Sequence, residues 1–142
     1  MLRVRRTPPV DYRLCNQTVT LYHLEEQNPF SCVRTVFRGA FFDAKRVAAV
    51  DKTGNRETNG FLLILPSGWG GRPVWSASGE DGWEGRFVLT PGDKVFLGEG
   101  PQIPDRAGWA AFLPARVNGL VVVRDIDVKY WDGAVCHVEA GG

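Results

Sequence analysis

The sequence predicts an all-β protein: a single small β-barrel or sandwich with an extended N-terminal arm, a long loop rich in glycine and tryptophan, and at most one short helix. Two observations lead to this prediction. Several short segments alternate apolar and polar residues with the period of two that half-buried strands show. In addition, 17 glycines and 9 prolines interrupt the 142 residues, and no long helical periodicity occurs between them. Frequent turns between short strands are typical of barrels and sandwiches.

The first half of the chain contains four predicted strand segments. They lie at residues 18–24, 33–38, 41–42 together with 46–50, and 61–65. In the first segment Val19, Leu21 and His23 share one side, which is the alternation of a half-buried strand. The last segment is continuously apolar and ends at Pro66, so we expect a central strand covered on both faces.

Turn residues organise the second half. Strands are expected at 86–89 and 94–97, on either side of Thr90-Pro-Gly-Asp93, where proline and then glycine suit the central positions of a type II turn. Residues 120–131 and 134–139 bracket an Asp-Gly pair, which is a strong hairpin signal. Between these strands, residues 105–112 predict one short helix that Gly108 interrupts and that stops before Pro114.

The chain is therefore divided into an extended arm at residues 1–14 and one domain at 15–142, with a long loop at 67–85. A chain of this length can form one core without disulfide or metal staples. Its 17 basic and 16 acidic residues leave a net charge of +1, which predicts no strong attraction to nucleic acid, membranes or acidic polymers. No apolar run is long enough to cross a bilayer, and no signal peptide is expected.

No catalytic or metal-binding group emerges from the residue pattern. Cys136 and His137 are adjacent, but neighbours on a strand point to opposite faces, so we expect that they cannot hydrogen-bond to each other and that catalysis would need His23 or another base. The histidines and cysteines lack the close pairs of structural zinc sites. Reduced thiols in a cytoplasm are expected. We predict no enzyme, no cofactor and no metal.

The carboxylates carry no clear chemistry either. Asp125 and Asp127 would share one face of a strand, about 7 Å apart by strand geometry. A hydrolytic pair can have such a spacing, but a solvent-facing strand edge explains it more simply.

Two segments suggest binding to a partner. The arm is rich in arginine, which can contact phosphates or the acidic residues of a neighbouring subunit, or form a disordered tail. The loop at 67–85 contains three tryptophans, a residue favoured as an anchor at protein interfaces, although each ring could instead fold back on the domain. The predicted interface residues are Arg3, Arg5, Arg6, Arg13, Trp69, Trp75 and Trp83.

The order of these motifs resembles a family of small minor capsid or head–tail connector proteins of tailed, siphovirus-type bacteriophages and prophages of Firmicutes. The resemblance covers roughly residues 16–142. It rests on Thr-Val-Thr-Leu-Tyr-His at 18–23, Arg-Thr-Val-Phe-Arg-Gly-Ala-Phe-Phe-Asp at 34–43, the apolar strand ending in proline at 61–66, Leu-Thr-Pro-Gly-Asp-Lys-Val-Phe-Leu-Gly at 89–98, and the hairpin at 120–139.

The resemblance implies a structural virion protein at the head–tail junction, of the connector, head-completion or stopper type. Such a protein would form a homo-oligomeric ring between the portal and adaptor proteins and the tail terminator or tail tube. It would help to retain packaged DNA, and it would be assembled in the bacterial cytoplasm without contact with a membrane. The alternatives are a tail terminator or another tail component and, in a different class, a carbohydrate- or nucleic-acid-binding β-module.

Overall fold

A computed structural model describes residues 12–51, 54–66, 75–76, 87–131 and 134–142. The strands are β1 (Gln17–Gln27), β2 (Phe30–Asp51), β3 (Gly54–Pro66), β4 (Trp75–Ser76), β5 (Phe87–Val88), β6 (Lys94–Leu97), β7 (Leu120–Val122), β8 (Asp125–Trp131) and β9 (Ala134–Gly141). One helix, α1 (Arg106–Ala111), and one 3₁₀ turn (Tyr12–Leu14) complete the described elements. The all-β prediction is confirmed.

Seven of the strands form one antiparallel sheet in the order β7-β6-β1-β2-β3-β9-β8. The edge strands β7 and β8 do not pair with each other, so the sheet is not closed into a barrel. The sheet curls nevertheless. The backbone N–H of Arg124, between these two strands, donates to the carbonyl oxygen of Gly141 at 2.9 Å. The short strands β4 and β5 pair in parallel in a separate small sheet.

The bend occurs in β2, which is one strand of 22 residues where the sequence predicted two shorter ones. Its first part pairs with β1 as far as Ala40, and its second part pairs with β3 from Phe41 onward. Within the pairing with β1, Thr18 is opposite Arg38 and Gln17 is opposite Ala40, which leaves Gly39 as an extra residue with φ of +90°. A bulge with glycine in this conformation bends a strand, so β2 belongs to two half-sheets.

The two half-sheets share one core. The first half-sheet consists of β7, β6, β1 and the start of β2; the second consists of the end of β2 with β3, β9 and β8. Fully buried side chains from both meet in a single cluster, which includes Val19, Leu21, Leu63, Leu65 and Val138. A flat sheet could not bring these residues together, so the interior lies between two facing layers, as in a sandwich.

A second, smaller cluster lies on the opposite face of the first half-sheet. There α1 covers Tyr22, whose ring packs edge-on against Phe112 with centroids 4.9 Å apart. The helix follows the prediction closely, because Asp105 caps it by accepting a hydrogen bond from the backbone N–H of Gly108 at 2.7 Å. The sequence predicted that Gly108 interrupts this helix. Gly108 instead lies in its first turn, where its backbone N–H donates to the capping side chain.

Candidate functional site

Most of the predicted interface residues lie outside the described part of the chain. This holds for Arg3, Arg5, Arg6, Trp69 and Trp83. Of the remaining two, Arg13 is exposed in the 3₁₀ turn, and the backbone of Trp75 belongs to β4. The predicted loop at 67–85 therefore contains a paired strand segment. The structure does not bring these seven residues together as a described site.

The expectation that Cys136 and His137 cannot hydrogen-bond to each other is wrong. The Cys136 sulfur lies 3.7 Å from Nδ1 of His137. The physical reason is a β-bulge: Lys129 pairs with His137 and Tyr130 pairs with Val135, so Cys136 is an extra residue opposite β8. A bulge re-aims the side chains beside it, which suspends the ordinary alternation of faces.

The geometry of this pair nevertheless favours a structural role over nucleophilic catalysis. Cys136 is only 2% exposed, and its thiol donates to the carbonyl oxygen of Lys129 at 3.3 Å. His23, the other base considered from the sequence, contacts Asp93 instead. A reactive cysteine needs access to substrate and a base that is free to take its proton. All three cysteines are free thiols.

The Tyr12 hydroxyl contacts the imidazole ring of His137. Its hydroxyl oxygen lies 2.7 Å from Nδ1 of His137 and 3.2 Å from the carbonyl oxygen of Cys136. Burial raises the pKa of the Tyr12 hydroxyl and lowers the pKa of His137, so the neutral forms are favoured. Nε2 of His137 is buried without a hydrogen-bond partner among the described residues, 3.6 Å from a carboxylate oxygen of Glu139. The contact attaches the 3₁₀ turn to β9.

A second polar cluster joins β1 to the turn before β6. Nδ1 of His23 lies 2.9 Å and 3.1 Å from the two carboxylate oxygens of Asp93. The same carboxylate accepts a hydrogen bond from the backbone N–H of Thr90 at 2.8 Å and one from its hydroxyl at 3.1 Å. Burial raises the pKa of Asp93, while these hydrogen bonds lower it. Through these contacts, Asp93 stabilises the turn at residues 90–93 and connects it to β1.

Lys94 is a buried cation that holds α1 on the sheet. Its ammonium group donates to the carbonyl oxygens of Trp109 and Phe112, each at 2.6 Å, and lies 4.2 Å from the centre of the Trp109 ring. Burial lowers the pKa of Lys94. Because these are carbonyl groups at the carboxyl end of the helix, the lysine satisfies acceptors that lack a partner within the helix.

The outer face of the second half-sheet is the part of the described surface best arranged for a partner. It carries the side chains that alternate with the core residues Leu63, Leu65 and Val138. Cross-strand pairing orders it in three rows. The rows, from β2 to β8, are Asp43, Leu62, Gly141 and Asp125; then Phe41, Ile64, Glu139 and Asp127; then Pro66, His137 and Lys129.

This surface, called the acidic face below, has an apolar centre and carboxylates at its sides. Leu62 is 41% exposed, and Gly141 beside it has no side chain. Asp43, Asp125 and Asp127 are exposed. Lys129 is the one cation in the three rows, and its ammonium lies 2.5 Å from Asp127 and 3.5 Å from Glu139. Four carboxylates and one ammonium leave the acidic face with a net charge of −3. The predicted placement of Asp125 and Asp127 on one face of an edge strand is confirmed.

A groove of about 370 Å³ lies where the two half-sheets meet. Phe61, Val117 and Leu120 line it, and Arg124 lies at the same groove. Its apolar walls carry no titratable dyad, so we assign it no chemistry. The described residues contain no group of three or more His, Cys, Asp or Glu side chains that could hold a metal ion. Likewise, none of the described helices is long and apolar enough to cross a membrane.

Sequence reasoning missed the acidic face as a surface. It found Asp125 and Asp127 by their spacing, but Asp43 is more than 80 residues away and joins them only through the pairing of four strands. It also missed the contact between Tyr12 and His137, which are separated by 125 positions. No local signal marks either arrangement.

Comparison with known proteins shows the family to which the chain belongs. No curated protein and no solved structure matches the chain. The model of a family of unknown function, DUF6751, matches residues 14–142, which include every described strand and helix. The chain belongs to the DUF6751 family.

Proposed function

We propose that this chain is a structural protein of the virion of a tailed bacteriophage, a connector of the head-completion or stopper type at the head–tail junction. The motif order over residues 16–142 supports the proposal through the family resemblance. Two of the polar groups considered for chemistry make structural contacts instead: the Cys136 thiol is buried, and the Asp93 carboxylate is hydrogen-bonded within its own turn.

One observation carries the proposal: β2 and β3 continue as a two-stranded ribbon beyond the rest of the sheet. Residues 45–51 of β2 pair with residues 54–60 of β3. On one side, β1 pairs with β2 only as far as Ala40; on the other, β9 pairs with β3 only from Leu62. No third strand among the described residues pairs with this ribbon, which at seven residue pairs is about 20 Å long.

An unsupported ribbon suits a subunit that is completed by its neighbours. Two-stranded hairpins are marginally stable in water, and their free edges pair readily with other chains. In a ring each subunit presents one surface to the subunit before it and a different surface to the one after it. A ribbon that reaches beyond its own domain can provide one of these two surfaces, and the rigid two-layer core can provide the other.

The test is the phenotype of particles made without this chain. A stopper or head-completion protein predicts filled heads that lose their DNA and lack tails. A tail terminator or other tail component predicts filled, closed heads that retain DNA, and this outcome would contradict the proposal. Complementation with the intact gene is the control, and DNA retention is measured by nuclease sensitivity together with electron microscopy.

The β-module alternative is tested separately on the purified chain. Intrinsic tryptophan fluorescence is titrated with glycans and with oligonucleotides. The proposal predicts a flat response to glycans and only weak, salt-sensitive binding of oligonucleotides without sequence preference. Saturable micromolar binding of one glycan class would favour the module instead.

A further inference from the structure

We propose that the acidic face is the docking site for the basic segment that precedes Tyr12, residues 1–11 of the same chain. This inference does not depend on the phage proposal, because it concerns a contact within one subunit. It assigns an occupant to the one described surface that combines an apolar centre with several exposed carboxylates.

Charge is the first argument. The acidic face has a net charge of −3, and its carboxylates lie on both sides of the apolar centre: Asp43 on β2, and Asp125 and Asp127 on β8. Residues 1–11 contain three arginines and one aspartate, with Leu2 and Val4 among the arginines. A segment that alternates basic and apolar residues matches a face on which carboxylates border apolar side chains.

Position is the second argument. Tyr12 is already attached to this face, because its hydroxyl lies 2.7 Å from Nδ1 of His137, in the third row. Its ring lies edge-on to the imidazole, with centroids 5.6 Å apart. The described chain therefore starts at one end of the acidic face. Attachment at this point gives the segment a high effective concentration for the same face of its own chain.

Length is the third argument. From Lys129 to Asp125 the face extends over four residues of β8, about 13 Å. Arg6 precedes Tyr12 by six residues, which can span at most about 20 Å. The arginines can therefore reach Asp125 and Asp127 without detaching Tyr12. The second row also holds Phe41 and Ile64, both partly buried, which an apolar residue of the segment could contact.

The burial of His137 agrees with this arrangement. It lies on the outer face and yet is only 5% exposed, and its Nε2 has no hydrogen-bond partner among the described residues. The third row is thus covered from outside the sheet, starting with Tyr12. An occupant that continues across the face would extend this cover to the second and first rows.

The test is photo-crosslinking of the full chain with a benzophenone amino acid in place of Val4. After irradiation, mass spectrometry locates the attachment sites, and gel electrophoresis separates crosslinks within one chain from those between chains. We expect crosslinks within one chain to residues of β3, β8 and β9. The yield should fall at least threefold between 50 mM and 500 mM salt, because exposed charge pairs are screened.

Charge reversal tests the pairing directly. D43K/D125K should reduce the crosslink yield at least fivefold, and R3E/R5E should do the same. Combining both sets should restore it. The matched control is E25K/E26K at the end of β1, outside the acidic face, which should leave the yield unchanged. If D43K/D125K does not fold, judged by circular dichroism, the arm variant R3E/R5E alone decides.

Three outcomes would overturn the inference. Crosslinks only between chains would show that the segment docks on a second copy. Crosslinks within one chain that avoid β3, β8 and β9 would place it elsewhere. A yield that charge reversal does not change would remove the electrostatic basis. A failure of the phage proposal in particles would leave all of these results unaffected.

Discussion

At the scale of single residues, Gly100 shows how closely the first half-sheet is packed. Its N–H donates a hydrogen bond to the Thr20 hydroxyl oxygen at 2.9 Å, and its carbonyl oxygen accepts two hydrogen bonds from Arg34. A Cβ at this position would overlap the hydroxyl of Tyr22, which is fully buried and donates to the carbonyl oxygen of Pro101 at 2.7 Å. Neither Gly100 nor Tyr22 can move away without losing a hydrogen bond.

We therefore predict that Gly100→Ala lowers the free energy of unfolding by about 1–3 kcal/mol, the usual cost of overpacking. The matched control is Gly60→Ala, where the nearest described atom to the added Cβ would be the carbonyl oxygen of Gly142, at an ordinary 3.7 Å. Urea denaturation measures both. Equal stabilities of the two variants would contradict the packing described around Tyr22.

His137 gives a prediction on pH. Because burial lowers its pKa below the ordinary value of 6.5, the unfolded chain binds a proton there more readily than the folded chain. The stability that this residue contributes is present above pH 6.5 and is lost as the pH falls through the lower pKa of the folded state. His137→Gln should flatten this part of the pH dependence, measured by urea denaturation between pH 5 and 8.

The carboxylate of Glu139 raises the pKa of His137 in the folded chain, so Glu139→Gln should lower that pKa further and extend the loss of stability to still lower pH. An NMR titration of the imidazole follows the same shift. A wild-type slope in His137→Gln would contradict the assignment, because it would mean that another group dominates this pH range.

Individual residues also show what the sequence could predict. The turn at Thr90–Asp93 was predictable because its signal is local: Gly92 has φ of +96°, and the N–H of Asp93 donates to the carbonyl oxygen of Thr90 at 3.1 Å. The approach of Cys136 to His137 was not predictable. It results from a bulge, which depends on the register with β8 and cannot be recognised in the sequence of β9 alone.

At the scale of elements, α1 depends on a single buried cation. Lys94→Met keeps much of the aliphatic stem but removes the donor to the carbonyl oxygens of Trp109 and Phe112. We predict a loss of about 1–3 kcal/mol, since two buried acceptors would lose their charged partner. Lys129→Met, which breaks an exposed ion pair on β8, is the control and should leave the free energy of unfolding nearly unchanged, because water and salt screen such a pair.

Urea denaturation gives the stability of both variants, and amide hydrogen exchange of the α1 backbone reports whether the helix stays in place. A Lys94→Met variant as stable as Lys129→Met would contradict the role of this lysine. The helix itself was predicted from Asp105 and the residues after it, because its cap is local. Its attachment to Lys94 was not, because it depends on the packing of α1 against β6.

At the scale of the whole molecule, period-two alternation predicted the fold class but not the way in which the sheet closes on its core. Alternation says which residues face inward, and barrels and sandwiches share it. The decisive feature is the bend of β2 at Gly39, which divides one long strand between two layers. Glycine at this point was visible in the sequence, but its role as a bulge follows only from the pairing with β1.

The ribbon gives the prediction at this scale. Replacing residues 46–58 by a short turn removes residue pairs between β2 and β3 that no other described strand contacts. The thermal unfolding midpoint of this variant should therefore stay within a few degrees of the wild-type value. Incorporation into particles should be lost, because the ribbon is proposed to contact the next subunit. Replacement of the exposed two-residue turn between β1 and β2, residues 28–29, is the control. Normal incorporation of the shortened chain would contradict this role.

The position of the chain in assembled particles tests the central claim most directly. Phage particles carrying an affinity tag at the carboxyl terminus of this chain are labelled with gold and imaged by electron microscopy. The account predicts gold at the junction of head and tail, in one cluster per particle. Label along the tail shaft, or particles with normal tails and no label, would contradict it.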